Sequence, residues 1–234
     1  MTGFLKSSKV ALVFIIGATF ILLALSAWQF QRLEWKQDII QKLDSEYQKD
    51  PTQHRYDFDF LQKLSEQNKP IKYGSITGGL MPHKTMLFGP KPRDGKAGFH
   101  VVTPVRIDKG YILVNRGWIS EENKDKLKDE TSLANRAMTG LIRKPEWNMF
   151  TPNNNAEADI WTKLDIDMIA KAKELNPAAP VILYSERSTN PLIETQAERW
   201  YPRNKHLYYA IFWLTMALAL WGVSGAYYLK NKRA

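Results

Sequence analysis

The stretch LYYAIFWLTMALALWGVSGAYYL, residues 207–229, decides the architecture of this chain. It carries no charge over 23 residues, and a helix of that length, rising ~1.5 Å per residue, spans the ~30 Å hydrocarbon core of a bilayer. Tyr208 and Trp213 lie near one end and Tyr227 and Tyr228 near the other, as in the aromatic belts at membrane surfaces. The sequence therefore predicts a transmembrane helix over residues 207–229.

A second apolar run, VALVFIIGATFILLALSA, occupies residues 10–27 and also lacks charge. The competing interpretation is a cleaved signal peptide, with Lys6 and Lys9 as its basic region and small residues before a cleavage site. The run is longer than the apolar region of a signal peptide, which has about 7–15 residues. It also continues directly into Trp28-Gln29-Phe30, which is typical of an interfacial anchor. Both features favour an uncleaved helix.

Two membrane helices place both tails of the chain on the same side of the membrane. Lysine and arginine are almost balanced between the two sides, so their number near the helix ends does not decide the orientation. Large domains translocate largely regardless of charge, which favours an outer position for the central domain. We therefore expect a cytoplasmic tail (residues 1–9), a transmembrane helix (10–27), an extracytoplasmic domain (28–205), a second transmembrane helix (207–229) and a cytoplasmic tail (230–234).

The chain has no cysteine, which excludes disulfides, thiolate metal sites and covalent haem attachment. An outer domain without disulfides is normal for a bacterial envelope protein, and nine residues before the first helix are too few for a mitochondrial transit peptide. We expect a multi-pass protein of the bacterial inner membrane with a periplasmic central domain. The net charge of +9 is partly due to five basic residues in the tails, so nothing in the sequence indicates nucleic-acid binding.

The central domain is predicted to be a mainly antiparallel β (α+β) domain, either an open sheet or a small barrel, with peripheral helices. Residues 28–48 are predicted to continue the first helix as a stalk, and Asp165 to cap a helix that ends near residue 175. A short helix is expected around residues 57–67, and a loop or short helix over 121–132. Strands are predicted at residues 71–77, 85–88, 99–107, 111–119, 137–142, 160–164 and 181–184, and Gly78-Gly79 is predicted to end the first.

His206 is the leading candidate for a functional residue, because it stands where the second membrane helix begins. An ionisable group at that depth is costly and therefore indicates function more strongly than one on a soluble surface. One interpretation is an interfacial histidine with its polar edge among lipid headgroups, and the other is a ligand of haem or of a metal. The second is favoured by the positive end of the helix, which disfavours a protonated imidazole and keeps the ring able to bind a metal. Tyr209, Ala210 and Trp213 are expected on its face of the helix, and Ala210 would leave room for a flat ligand.

The outer end of the first helix reaches the same membrane level. Trp28, Gln29 and Arg32 are therefore expected at about the depth of His206. Arg32 is either a lipid-phosphate-binding arginine or a clamp for an anionic group such as a haem propionate, because guanidinium matches a carboxylate bidentately.

The remaining motifs give two interpretations for one segment and no sign of a metal site or of catalysis. Asn115-Arg116-Gly117-Trp118 ends a predicted strand, either as a turn anchored by a buried tryptophan or as a binding loop. His54, His83 and His100 have no metal-ligand spacing. Nucleophile elbows, phosphate-binding loops, dinucleotide fingerprints and zinc-helix motifs are missing, so the chain is not predicted to be an enzyme.

Four segments, in order along the chain, resemble the Surfeit-locus (Shy-type) family of cytochrome c oxidase assembly factors. They are Trp28-Gln29-x-x-Arg32-x-x-x-Lys36-x-x-x-Ile40, Val114-Asn115-Arg116-Gly117-Trp118-Ile119, Gly140-Leu141-Ile142-Arg143 with Pro152, Asn154, Trp161 and Asp165, and Asn204-x-His206-Leu207-x-Tyr209-Ala210-x-x-Trp213. The chain departs from the family pattern at Lys205, where a second asparagine is common, and at Tyr208, where a polar residue is common.

The resemblance implies a membrane protein that assists maturation of cytochrome c oxidase subunit I, with haem a synthase as a further candidate partner. It implies haem a as the cofactor, His206 as the ligand of the haem iron, and a surrounding site formed by Trp28, Gln29, Arg32, Tyr209, Trp213 and Lys205. Arg116 and Trp118 are expected to contact a partner. The alternative is a haem-free scaffold that stabilises an oxidase assembly intermediate.

Overall fold

The computed structural model describes residues 2–67, 70–129, 133–195 and 199–233. Its helices are α1 (Thr2–Tyr47), α2 (Phe58–Ser65), α3 (Ile166–Ala172) and α4 (His206–Arg233), and its strands are β1 (Ile71–Leu80), β2 (Met86–Phe88), β3 (Gly98–Arg106), β4 (Tyr111–Ser120), β5 (Leu133–Arg143) and β6 (Ala178–Ser185). Short 3₁₀ helices cover Pro82–Lys84 and Glu121–Asp129. The chain divides into two units, one of residues 1–41 with 201–234 and one of residues 42–200.

Both apolar runs form helices that extend beyond the predicted membrane segments. The predicted stalk is part of α1, which continues without a break to Tyr47, shortly before Pro51. Within the described residues, Val10–Tyr47 and His206–Lys230 are long and apolar enough to cross a membrane. Their large apolar side chains are mostly exposed, as in Phe14 and Phe20, both 74% exposed. That surface suits lipid contact better than it suits water.

In the first unit, α1 and α4 pack as an antiparallel pair. The indole of Trp221 donates to the hydroxyl of Thr19 at 2.9 Å, and the hydroxyl of Ser26 donates to the carbonyl of Ala210 at 2.9 Å. Small and hydroxyl side chains let two apolar helices approach closely and supply hydrogen bonds where lipid offers none. These contacts fix the register of the two helices.

The second unit is built on one mixed sheet with strand order β1-β5-β6-β4-β3-β2. All neighbouring strands are antiparallel except β4 and β6, which are parallel. A further antiparallel pairing joins β1 to β3 at Gly79↔Arg106 and Leu80↔Val105. It closes β1, β5, β6, β4 and β3 into a ring, so the domain is the mainly antiparallel small barrel that the sequence left as one of two options.

Alternation along the strands separates an inner core from an outer face. Val181 and Leu183 of β6 belong to the inner core, which Phe58, Leu61 and Leu64 of α2 complete. Ile182, between them, belongs to a second core with Ile166 and Ile169 of α3. Asp165 caps α3 as predicted, its side chain accepting from the backbone N–H of Met168 at 3.1 Å. The helix ends at Ala172 and is therefore shorter than predicted.

The predicted strand over residues 160–164 is wrong. The segment makes only isolated bridges, Asn155↔Ile160 and Phe88↔Trp161. The reason is local: the side-chain oxygen of Asn154 accepts from the backbone N–H groups of Thr162 (2.9 Å) and Lys163 (2.8 Å). Those donors are satisfied by a side chain, so they are not available to a strand ladder.

The predicted break at Gly78-Gly79 is also wrong, because β1 runs through both glycines to Leu80. A side chain at Gly78 would collide with the backbone of Arg106, so glycine here permits the close approach of β3. Residues 121–132 were expected to be a loop or short helix; Glu121–Asp129 is 3₁₀ helix, and residues 130–132 lie outside the described ranges.

Candidate functional site

His206 and Gln29, predicted to share one membrane level, are in direct contact. Nδ1 of His206 lies 2.8 Å from the side-chain oxygen of Gln29. An amide oxygen can only accept, so Nδ1 carries a proton, and the neutral tautomer that fits this bond has its lone pair on Nε2. In the described ranges, no hydrogen bond occupies Nε2. The pair therefore presents one imidazole nitrogen in the form that binds a metal.

The packing of α1 against α4 holds this pair in place. Gln29 is only 9% exposed and lies one turn beyond Ser26, whose hydroxyl bonds to α4. His206 is the first residue of α4, and its backbone N–H donates to the side-chain oxygen of Asn204 at 3.3 Å. An asparagine beside the first turn satisfies one of the free amides there. Both partners of the His206–Gln29 bond are thus positioned by local structure.

Two basic side chains of this unit are available to an anion. Arg32 stacks on the rings of Trp28 and Trp35, with 5.7 Å and 5.4 Å from the guanidinium carbon to the ring centroids. Stacking leaves the edge of a guanidinium free to donate in its plane. Neither Arg32 nor Lys205 has an ion-pair partner among the residues that the structure describes. Both can neutralise carboxylates of a bound group.

The predicted aromatic residues lie on exposed or half-exposed surface. Trp28 is 47% exposed and Tyr209 is 45% exposed. Tyr209 contacts Tyr208 edge-on at 5.5 Å, and the half-buried Trp213 contacts Phe212 at 5.2 Å. Across the described ranges, no ring contact joins Tyr209 or Trp213 to Trp28. The structure brings His206 and Gln29 together and leaves the aromatic residues as separate surfaces on the two helices.

The space predicted beside Ala210 is filled. Ala210 is fully buried, and its carbonyl accepts the hydroxyl of Ser26 from α1. The small side chain therefore serves helix packing, and the position directly beside it is closed to a flat ligand. Sequence reasoning missed Ser26 and Trp35; a polar residue inside an apolar run was the available signal for Ser26.

Arg116 and Trp118 are both buried, with 2% and 3% of their surface exposed. The indole of Trp118 donates to the carbonyl of Lys91 at 2.7 Å, and its backbone pairs with Glu194 in both directions at 2.8 Å. Gly117 has a positive φ of 130° that favours glycine. This segment anchors two loops to β4, as in the buried-tryptophan interpretation. Direct contact of Arg116 and Trp118 with a partner stays a prediction.

The described residues contain no cluster of histidines and carboxylates that could serve as a separate metal site. Of the residues with described positions, no three or more histidine, aspartate or glutamate side chains could together hold a metal ion. A metal bound by this chain at His206 would therefore have at most two histidine or carboxylate ligands from these residues. A porphyrin iron suits such a site, because the macrocycle itself supplies four nitrogen ligands.

Known proteins resemble this chain over most of its length. A model of the SURF1 family matches residues 16–218. SURF1-like proteins of Dictyostelium discoideum and Rickettsia felis are 26% and 28% identical, over 90% and 91% of this chain and 93% of their own lengths. The Cytochrome oxidase assembly protein SHY1 of Saccharomyces cerevisiae is 27% identical over 80% of this chain and 49% of its own length. As its motifs predicted, the chain belongs to the SURF1 family.

Proposed function

We propose that this protein is an assembly factor for cytochrome c oxidase that binds haem a through His206 and assists its insertion into subunit I. The oxidase role is supported by the name of the yeast relative, a cytochrome oxidase assembly protein. The haem role rests on one observation: the side-chain oxygen of Gln29 accepts from Nδ1 of His206, and Nε2 has no hydrogen bond among the described residues. The chain has no evident catalytic motif, and we propose that it is not an enzyme.

The residues around His206 fit a haem. Nε2 would ligate the iron, and Arg32 and Lys205 would meet the propionate carboxylates. The exposed rings of Trp28 and Tyr209, with the half-buried ring of Trp213, offer apolar surface to the macrocycle. The bound haem would be the group that is handed on, and its own affinity for an oxidase subunit is all that it would contribute. This chain would hold the haem through His206 and neutralise its carboxylates with Arg32 and Lys205.

We propose the same membrane placement that the apolar runs indicate. Both helices are membrane-capable, and the Rickettsia relatives are bacterial proteins. The protein would cross the bacterial inner membrane twice, with residues 28–205 in the periplasm. Subunit I and haem a synthase are the partners that this role requires, because one accepts haem a and the other makes it.

The His206→Ala variant tests the haem proposal. We expect the wild type, purified from cells that synthesise haem a, to carry a haem a absorption spectrum, and the variant to lose most of the haem because the iron ligand is gone. His83→Ala, at an exposed position outside this unit, is the matched control and should retain wild-type haem content. An unchanged spectrum and stoichiometry in His206→Ala would refute the ligand assignment.

A haem-free scaffold is the second candidate function, and one surface favours it. Trp147, Met149 and Phe150 are 47%, 88% and 86% exposed in one loop, and exposed apolar clusters commonly bind other proteins. If the chain is a haem-free scaffold, oxidase assembly in cells should survive His206→Ala and fail when Met149 and Phe150 are both changed to Ser. If the chain acts by binding haem, His206→Ala should impair assembly more than the double variant does.

A further inference from the structure

The second unit contains a cleft of about 940 Å³ on the outer face of its barrel. Three side chains in register form part of its floor, Leu141 of β5, Tyr184 of β6 and Asn115 of β4, and His100 of β3 also lines it. The walls come from the end of α1, from the loops after β2 and β5, and from the segment that ends at Trp200. The volume is in the range of small-ligand pockets, roughly 300–1,000 Å³.

Arg143 is the most distinctive side chain of the cleft. Its guanidinium carbon lies 4.3 Å from the ring centroid of Tyr184 and 4.4 Å from that of Trp200. Two aromatic contacts fix the plane of the guanidinium, while its edge N–H groups have no hydrogen-bond partner among the described residues. A guanidinium held in this way is preorganised to bind an oxyanion bidentately.

Among the described residues, Arg199 and Lys91 of the cleft also have no carboxylate partner. Arg199 stacks on Tyr47 at 4.8 Å, and the ammonium of Lys91 lies 4.7 Å from the centre of Phe88. No ion pair reaches either side chain from the described parts of the chain. Arg93, by contrast, lies 3.7 Å from Glu194. Lys163 has no carboxylate partner among the described residues, but it donates to the side-chain oxygen of Asn153 at 2.7 Å.

The carboxylates at the cleft do not cancel this charge. Glu194 is shared with Arg93, and Glu186 accepts the hydroxyl of Tyr73 at 2.7 Å. Glu146 is exposed. On the floor, Nδ1 of His100 is buried with no hydrogen-bond partner in the residues described, so one polar atom there awaits an acceptor or a donor. Three cations and this imidazole remain for a ligand.

Apolar surface lies beside these cations. Leu141 and Leu164 line the cleft and Trp147 stands at it with 47% exposure. Phe88 adds a half-buried ring. A small hydrophilic anion would leave this surface wet, whereas an acid with an apolar body would cover it.

We propose that this cleft binds an organic acid with an apolar body, whose carboxylate is held by Arg143 with Lys91 and Arg199 nearby. The acid could be free or could be an acidic residue beside an aromatic one in a polypeptide, since both present the same chemistry. The lining residues all belong to the second unit, and none of them is a residue of the proposed His206 site.

The probe is 3-(4-fluorophenyl)propionate, with its neutral amide as the uncharged match and acetate as the match without an apolar body. Binding to the full-length protein in nanodiscs is measured by ¹⁹F NMR for the two fluorinated compounds, and by competition for acetate. We expect the acid to bind at least tenfold more tightly than the amide and than acetate. The blocked dipeptide acetyl-Phe-Asp-amide, tested by competition, separates the sources: tighter binding than the free acid indicates a polypeptide ligand, and weaker binding a free one.

Two variants test the assigned contact. Arg143→Ala should weaken binding of the acid about tenfold or more, because a charge-assisted bidentate contact is lost, and leave the amide unaffected. Lys144→Ala, the exposed neighbouring residue outside the cleft, is the control. If Arg143→Ala does not fold, Arg143→Lys and the exposed-site variant Lys91→Met replace it, each with an expected severalfold loss. Equal binding of acid and amide, or loss in Lys144→Ala alone, would overturn the proposal.

Discussion

His206 shows how one hydrogen bond decides the chemistry of a ring with two nitrogens. A bare imidazole at a membrane boundary exchanges between two tautomers, and each presents a different nitrogen to a metal. The amide oxygen of Gln29 accepts only, so it selects the tautomer with the proton on Nδ1. Because Gln29 is buried against α4, this choice does not depend on a mobile side chain.

Gln29→Ala is therefore expected to weaken haem retention about 10–100-fold while leaving the iron ligand present, as loss of a partner behind a metal-bound histidine does. The measurement is haem transfer to apomyoglobin from the purified variant and from wild type. Gln31→Ala, an exposed glutamine on the same helix, should release haem at the wild-type rate. Equal release from Gln29→Ala and wild type would show that the hydrogen bond does not tune the ligand.

Glu46 illustrates how a helix end is attached to a strand. Near the end of α1 it accepts from Lys49 at 2.6 Å and Lys72 at 2.8 Å, and from the backbone N–H of Tyr73 at 3.2 Å. Burial by itself raises the pKa of Glu46, but these hydrogen bonds outweigh it and leave the pKa below the ordinary value of 4.5. The ionised carboxylate thus ties α1 to β1.

Glu46→Gln should lower the free energy of unfolding by about 1–3 kcal/mol at pH 7, because buried donors lose a charged acceptor. Since the folded pKa is depressed, this contribution is complete above the unfolded value near 4.5 and is lost as the pH falls through the folded pKa. The difference between variant and wild type should therefore shrink below about pH 4.5. Urea unfolding followed by near-UV circular dichroism measures it, with the exposed Glu157→Gln as control.

Element types could be predicted well wherever the pattern was local. The hairpin of β3 and β4, the cap at Asp165 and both long helices follow from alternation, turn residues and apolar length. The errors arose where a side chain or a residue distant in the sequence determined the backbone conformation. Asn154 accepts hydrogen bonds from the backbone of residues 160–164, whose sequence alternates like a strand. Arg106 lies against Gly78-Gly79, a pair that is typical of a turn but here continues the strand.

At the scale of the whole molecule, pairing of β1 with β3 closes the barrel. A residue with a side chain at Gly78 would meet the backbone of Arg106, which cannot move cheaply while β3 is paired with β4. The closed ring separates the inner core from the outer face, and the cleft lies on that face.

Gly78→Ala is expected to destabilise the second unit by about 1–3 kcal/mol, the usual cost of overpacking. Thr77→Ser, one residue earlier on β1, changes little volume away from this approach and should stay within about 0.5 kcal/mol of wild type. The urea midpoints of the two variants provide the comparison. A Gly78→Ala midpoint equal to that of Thr77→Ser would mean that the β1–β3 pairing contributes little to stability.

The amino-acid sequence by itself determined the two apolar helices, the mainly antiparallel central domain and the placement of Gln29 at about the depth of His206, because apolar length, alternation and motif spacing are properties of neighbouring residues. It also identified the family. Only the tertiary structure decided which nitrogen of His206 bonds to Gln29 and that α1 covers Ala210. It also brought Arg143, Arg199 and Lys91 into one cleft. Those facts depend on contacts between residues far apart in the chain, which no local pattern encodes.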